Sequence, residues 1–494
     1  MRRCTRYIDY CSDIGPNGIA QGEVWKLAPR SGGTNIAPAR GDEAEGAYMG
    51  LSLDRLHPSR LAVSTVDRWN HRDTVWLWSD GGAHWTSLRE RSSRNLSPAP
   101  WLRLDKGGFG GWIAGLAFNP FDGATLAYTT GLTVFRTEHA DKADMVWRPW
   151  VAGIEEAVTL SLVSPPEGPH LICGIGDTHG FVHDRLDRAP EQAFADPDLP
   201  QTNNVDYAGV AHRIMVRSAS GYFPNPEGAS LGWSEDGGRS WHEMLAPPIM
   251  IGSAAPRRID VDGQAPITVS ADGNTFLVSG LVTPATADRG RIWWRPQGLP
   301  ERTYAIADKV DPLARYAIDY AGARIFVSRD GAKTFKQALA QELRTEIANS
   351  RPAAREFQPM AAATPGTVGE LWLILEGRFF HTRDDAHTFV ASTPVDPALL
   401  GMHFVSLGLG KAALGVHVQT LYAFGVTKTF GGLWRSTDAG ARWLWINDHA
   451  HQWGLRYRVT TGDPRLFGRV YMATDGGGIF YGDPLPQPLG AAVH

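Results

Sequence analysis

The chain reads as an all-β protein of the β-propeller class, and three observations carry that expectation. A Ser-x-Asp-x-Gly-x-Thr-Trp turn recurs five times in altered form, its best copy being Ser234-Glu235-Asp236-Gly237-Gly238-Arg239-Ser240-Trp241, with others centred on Asp80, Asp330, Asp384 and Asp438. In chain order the five aspartates lie 156, 94, 54 and 54 residues apart, about three, two, one and one units of roughly 50 residues, the period of a four-stranded propeller blade. Composition agrees: 55 Gly, 33 Pro and 18 Trp among 494 residues, with apolar runs such as Leu371-Trp372-Leu373-Ile374-Leu375, describe short strands between tight turns. The length also exceeds what one hydrophobic core usually serves, so two domains or one large repeat array is expected.

The box has a local logic. An Asp followed by Gly bonds its own backbone in a tight turn while the Gly takes a positive φ. The aromatic that closes each copy (Trp85, Trp241, Phe335, Phe389, Trp443) is then placed to pack between neighbouring sheets. The box aspartates are therefore read as structural rather than catalytic or calcium-binding. The copies are imperfect: Trp78 stands where the first Ser belongs, Asp385 replaces a Gly and Arg442 replaces the Thr. One helix is expected to interrupt the strands over residues 336–349, where Leu339, Leu343 and Ile347 recur at helical spacing ahead of Pro352.

Charge and cysteine usage exclude several classes. A net charge of −4 without a Lys/Arg cluster gives no electrostatic basis for binding nucleic acid or an anionic membrane. Cys4, Cys11 and Cys173 are too few and too scattered for a disulfide framework or a zinc site. No apolar stretch approaches the roughly 18 residues that span a bilayer. The opening Met1-Arg2-Arg3-Cys4 is basic but leads into no apolar segment, so it does not read as a signal peptide, and taken literally the chain stays in the cytoplasm. No cofactor or metal is expected. Asp260-x-Asp262-Gly263 has Ala271 where a calcium loop requires Glu, Gly408-x-Gly410-Lys411 lacks the rest of a phosphate loop, and Asp448-His449-x-His451 has no third ligand in view.

Chemistry is sought where the repeat breaks down, between the first and second boxes. A strand over 170–175 runs directly into Gly176-Asp177, with Gly180-Phe181 and His183 just beyond. An Asp delivered from a strand end into a glycine-bracketed loop is a candidate catalytic carboxylate, and flanking glycines let a bulky ligand approach the backbone. Taken alone, such an Asp is more commonly a turn former. Sugar rings present flat apolar faces that stack on aromatics, so Trp69, Trp112, Trp293, Trp294 and Trp453, all outside the five boxes, are candidate sugar platforms.

A wider pattern then joins these residues. Gly111-Trp112-Ile113-Ala114-Gly115-Leu116-Ala117-Phe118-Asn119-Pro120-Phe121, Thr130-Gly131, Gly153-Ile154-Glu155-Glu156, Ser164-Pro165-Pro166 and Gly176-Asp177-x-x-Gly180-Phe181-x-His183 occur in order. So do Trp434-Arg435-Ser436-Thr437-Asp438, Ile446-Asn447-Asp448 and the closing run from Gly462-Asp463-Pro464 to Gly482. Together they resemble glycoside hydrolase family 74, the xyloglucanases, over nearly the whole chain, and match the C-terminal two-thirds of that family's two-propeller unit. The resemblance implies inverting hydrolysis of the β-1,4-glucan backbone of xyloglucan by two aspartates, with Asp177 as general acid. The expected substrate contacts are Gly180, Phe181 and His183 of the matched motif together with the stacking candidates Trp69, Trp112, Trp293 and Trp453, and the resemblance implies a secreted or periplasmic location. An acid of this kind needs a raised pKa, and Glu155 or Glu156 is a candidate neighbour.

The departures from the family pattern shape the remaining expectations. No Arg-Thr-Asp-x-Gly-Gly-Ala-Tyr-type segment, which carries the family's base, occurs in the chain; Thr474-Asp475-Gly476-Gly477 is its nearest imitation. Residues 1–100 resemble the last blades of the family's first propeller, through Gly22-Glu23-Val24-Trp25-Lys26, Asp67-Arg68-Trp69 and the box at Asp80. The expected organisation is therefore remnant blades of an incomplete first propeller over 1–100, then a second, seven-bladed propeller over 101–494, with a missing N-terminal half as a possible partner. Asn70 stands where the family often has a second aromatic. Two other readings stay open: a non-catalytic carbohydrate- or protein-binding propeller, favoured by the absent base, and a sialidase-like enzyme, whose Arg-Ile-Pro start is echoed by Arg213-Ile214-Met215.

Overall fold

A computed structural model describes the chain except at residues 1–4, 12–20, 29–31, 39–46, 69–72, 81–83, 90, 103–108, 154–156, 196, 198, 200, 221–230, 245–247, 250–256, 259–264, 281, 339–340, 351–360, 397–398, 400, 428–430, 452–456 and 485–494. Trp69, Trp453, Glu155, Glu156 and the Asp260-x-Asp262-Gly263 turn lie outside the described residues. The architecture is all-β, as the repeat requires, and it divides into two compact units, Met1–Glu156 and Ala157–His494.

Among the described residues the first unit holds three sheets. Arg6–Cys11, Gly22–Ala28 and Gly32–Asn35 form an antiparallel ribbon. Ala47–Leu53, Leu61–Val66, Val75–Trp78 and Trp85–Ser87 form a four-stranded meander. Leu116–Phe118, Leu126–Thr129, Val134–Thr137 and Met145–Pro149 form a third, to which Ser92–Arg94 adds in parallel. The sequence reading divided the chain near residue 100, but the compact division falls at 156/157. The physical reason is a shared core: Ala62, Val75 and Leu77 of the meander pack in one cluster with Phe109, Tyr128 and Trp147.

In the second unit, among the described residues, seven sheets of three to five strands succeed one another from Thr159–Val163 to Ile479–Gly482. The short strands Pro248–Ile249 and Arg257–Arg258 pair between the second and third. One strand of each sheet, the first in six of them and the second, Gly408–Gly410, in the sixth (Thr159–Val163, Gln201–Tyr207, Ile267–Val269, Tyr304–Ala307, Ala361–Ala363, Gly408–Gly410, Tyr457–Gly462), borders one central cavity of about 180 Å³. Strands of successive sheets meeting at one cavity is how propeller blades are arranged about their axis. The ring closes where Tyr457–Gly462 packs on Thr159–Val163. Asp475 forms an antiparallel bridge with Val158, and the Gly476 N–H donates to Ala157 O at 3.2 Å. Arg465 adds two donations across the same seam, to the carbonyls of Gly168 and His170, each 3.1 Å.

The boxes fold as their composition dictates. In the best copy the Ser234 hydroxyl donates to Asp236 Oδ1 (2.8 Å) and accepts from Gly238 N–H (2.9 Å), while the Ser240 hydroxyl donates to Asp236 Oδ2 (2.6 Å). Each of the four sequence-read boxes whose turns are described carries two successive left-handed residues: Gly237 and Gly238, Gly331 and Ala332, Asp385 and Ala386, Ala439 and Gly440. A further box, missed in sequence, has the same signature. Thr286 donates to Asp288 (2.9 Å), Gly290 N–H donates to Thr286 Oγ1 (3.0 Å), and Arg289 and Gly290 are left-handed. Its closing aromatic is Trp293. Its Thr position is filled by Ile292, which hid it.

The aromatics bind each sheet to the one before it. Trp85 packs on Val24 and Trp241 on Ile172. Trp293 packs in the cluster of Val216 and Leu231, Phe335 against Leu277, and Phe389 against Ile306. Removing a buried Trp such as Trp241 costs roughly 3–5 kcal/mol, against about 1 kcal/mol for one turn hydrogen bond. The aromatic therefore carries most of the box's energy, and the Asp sets where it points. A second repeat lies in the first-to-second-strand turns, where N–H of residue i bonds C=O of residue i+6 at Asp54, Asn119, Ala208, Asp308, Thr364 and Asp463. The expected helix over 336–349 is shorter: Lys336–Gln337 is a strand, and Gln341–Leu343 and Arg344–Asn349 are helical, burying Leu343 and Ile347.

Adjacent substitutions in one box should have opposite signs. Ala439 sits at φ 59°, a strained conformation for any residue with a Cβ, so Ala439→Gly should stabilise by up to about 1 kcal/mol. Gly440→Ala should destabilise by more than that, since its Cβ would also meet Ser392 Cβ at 2.8 Å. Thermal melts of both variants check the pair, and equal signs would contradict this account of the turn.

Candidate active site

The strand Leu171–Ile175 is buried along its whole length and ends at Gly176. Gly176 N–H donates to Val158 O (2.8 Å), so the turn that follows is tied to the residue that meets Asp475 across the ring seam. Asp177 and His179 then take left-handed φ values of 67° and 66°. Ile175 N–H donates to His179 O (3.2 Å), closing the turn, and the chain returns as Gly180–His183 paired on Leu171–Ile175. His179 also bridges to Gln201, the first residue of the next sheet. Asp177 thereby sits half-buried between two successive sheets.

Burial and Gln201 act on it in opposite senses. The Gln201 amide donates to Asp177 Oδ1 at 3.3 Å. Removal from water raises the Asp177 pKa above the ordinary carboxylate value, and this bond opposes the rise only in part. A carboxyl so placed holds its proton to higher pH than an exposed Asp, the property an acid catalyst needs.

The neighbours predicted from sequence play supporting parts. Phe181 is buried. His183 turns Nε2 onto Cys173 Sγ (3.4 Å) and stands 6.3 Å from the Phe181 ring; burial pulls its pKa down to about 4 and pushes the Cys173 thiol up to about 12, so both are neutral near pH 7. Gly180 is required by packing rather than by ligand approach, since a Cβ there would meet Cys173 O at 2.3 Å and the Phe194 ring at 2.5 Å. Gly176 is the roomier of the two glycines, with Val158 O at 3.6 Å its nearest neighbour. Trp293 was singled out for lying outside the boxes; it closes the sixth one, and that ground for separating it falls away. Trp294 donates its indole N–H to Ala332 O (3.0 Å) and packs between blades.

Trp112 differs from these. It belongs to the first unit, is half-buried with Ala47 and Val66 behind it, and sits on a loop flanked by Gly110, Gly111 and Gly115. No sequence signal pointed to its main-chain partner, the buried Asp73, whose Oδ2 accepts the Trp112 N–H at 2.6 Å.

No protein-family model matches the chain. Individual relatives do. A xyloglucanase from a Paenibacillus species is 34% identical over 97% of the chain and 47% of its own length. A xyloglucanase of Acetivibrio thermocellus is 31% identical over 97% of the chain and 56% of its own length. The crystal structure of a family 74 xyloglucanase from Xanthomonas campestris matches with a TM-score of 0.81 at 32% identity, over 97% of this chain and 65% of that one. The chain belongs to glycoside hydrolase family 74. It spans about half the length of the curated xyloglucanases it matches, and Gly176-Asp177-x-x-Gly180-Phe181 lies within the matched span. Among the described residues no helix is long and apolar enough to cross a membrane.

The raised Asp177 pKa also fixes a stability sign. A carboxyl that prefers its neutral form in the fold stabilises fully below the unfolded value near 3.8 and loses that contribution as pH rises through the folded value. Asp177→Asn, which keeps the shape, tolerates φ 67° and carries no charge, should therefore melt at or above the parent at pH 7. A melting temperature several degrees lower would contradict the desolvated setting described for this carboxyl.

Proposed function

We propose that this chain is the acid-bearing part of a glycoside hydrolase that cleaves the β-1,4-glucan backbone of xyloglucan with inversion. Asp177 is the general acid. The observation that carries the reading is its setting: a half-buried carboxyl with a raised pKa, at a strand end, within the Gly-Asp-x-x-Gly-Phe pattern. The names of the relatives supply the substrate class.

In the proposed reaction the protonated Asp177 gives its proton to the glycosidic oxygen as the bond to the anomeric carbon breaks. Gln201 fixes the carboxyl so that the proton is presented in one direction. A water attacks the anomeric carbon from the opposite face and yields its proton to a second carboxylate, roughly 6.5–9.5 Å from the first in inverting enzymes. Since these 494 residues contain no Arg-Thr-Asp-x-Gly-Gly-Ala-Tyr-type segment, we assign that base to a segment or chain beyond them. Half-exposed indoles, Trp112 first, hold the glucan by stacking. A polymer of this size is met outside the cell, so the reading carries an extracytoplasmic site of action.

The missing base segment specifically favours one other reading, a carbohydrate-binding propeller without turnover. Reducing-end release from soluble xyloglucan by the protein joined to the segment or chain that supplies the base, and by its Asp177→Asn variant, beside polymer binding by both, separates the two. As a hydrolase, the variant should lose about 10²- to 10⁴-fold in kcat, the usual worth of a general acid, with binding intact. Turnover unchanged in the variant overturns the assignment of Asp177. Binding without turnover in either protein favours the second reading.

A further inference from the structure

Asp73 is a buried carboxylate, 2% exposed, and no proposed chemical step uses it. It stands just before Val75–Trp78 in the meander of the first unit, and three neighbours converge on it. Oδ2 accepts the Trp112 main-chain N–H (2.6 Å), Oδ1 accepts the Thr65 hydroxyl (3.1 Å), and the Arg68 N–H also donates. The Arg89 guanidinium holds the same residue from the other side, donating to Asp73 O at 2.7 Å. The group it grips is unusual: Trp112 has φ 65°, a left-handed conformation rare for a large aromatic residue.

The loop carrying Trp112 is anchored at its flanks too. Gly115 exchanges bonds with Thr129, its N–H donating to Oγ1 and its C=O accepting the Thr129 N–H, both at 2.9 Å, and Gly131 N–H donates to Gly111 O at 3.1 Å. These bonds fix the two ends of the loop. The orientation of the indole between them depends on the backbone at Trp112 itself, which Asp73 holds.

We infer that Asp73 is a positioning residue, whose carboxylate locks the left-handed backbone of Trp112 so that the indole stands as a fixed stacking platform for a glucan ring. The inference rests on the reading of Trp112 as a sugar platform. It explains why the fold keeps a costly group there. Burial pushes the Asp73 carboxyl up to about 6, against the pull of the Trp112 and Arg68 N–H groups, the Thr65 hydroxyl and the Arg68 charge. The ionised form present at pH 7 is therefore disfavoured by the fold, and a residue retained at the expense of stability is more readily explained by function than by structure.

The test is calorimetric titration of a soluble xyloglucan oligosaccharide into the parent, Trp112→Ala, Asp73→Ala, their double variant and Asp73→Asn, with thermal melts of each. Trp112→Ala and Asp73→Ala should each weaken binding roughly tenfold, the scale of one lost aromatic contact, and the double variant should be no worse than either. Asp73→Asn, whose amide oxygen still accepts the Trp112 N–H, should recover most of that loss and melt at or above the parent at pH 7. Parent-like affinity in a folded Asp73→Ala beside a weakened Trp112→Ala overturns the positioning role and leaves the platform reading standing. Parent-like affinity in Trp112→Ala overturns the platform reading and this inference with it. If Asp73→Ala does not fold, Thr65→Val carries the test: a loss of about threefold supports the inference, and parent-like affinity overturns it.

Discussion

The second unit depends on closing its ring. Seven sheets around a 180 Å³ cavity leave the first and last with one unpartnered face each unless they meet, and exposed strand edges and apolar faces invite association. Here the seam is made by packing of Tyr457–Gly462 on Thr159–Val163, by the Val158–Asp475 bridge, and by Arg465 reaching Gly168 and His170. Asp177 lies one hydrogen bond from that seam, through Gly176 and Val158. The closure that stabilises the ring is thus also what gives the candidate acid a fixed backbone.

Much of this was legible in the sequence because it is local. A box turn is specified within eight residues by an Asp, two left-handed positions and a closing aromatic, so its copies could be read directly. The all-buried strand Leu371–Leu375 was equally plain as an apolar run. The box at Asp288 was not, because Ile292 replaces its second hydroxyl and Thr286 its Ser; only Asp288-x-Gly290 and Trp293 kept the pattern, and Trp293 was read as an aromatic outside the boxes.

What the sequence hid is non-local. The contribution of Phe109, Tyr128 and Trp147 to a core shared with Ala62 and Val75 cannot be seen in any window of residues, and it moves the compact division from near 100 to 156/157. The bond from Trp112 to Asp73 joins residues far apart in the chain with no motif between them. Gly180 looked like room for a ligand because a sequence shows the missing side chain but not the Phe194 ring that fills its place.

The most direct test of the central claim is hydrogen exchange at the Gly176 and Gly476 amides. If the seam holds the Asp177 turn as described, both amides should exchange as slowly as those within Leu171–Ile175, because opening either requires opening the ring. Exchange at the rate of an exposed loop, with the neighbouring strands still protected, would show that the Asp177 turn moves independently of the closure and would contradict the account.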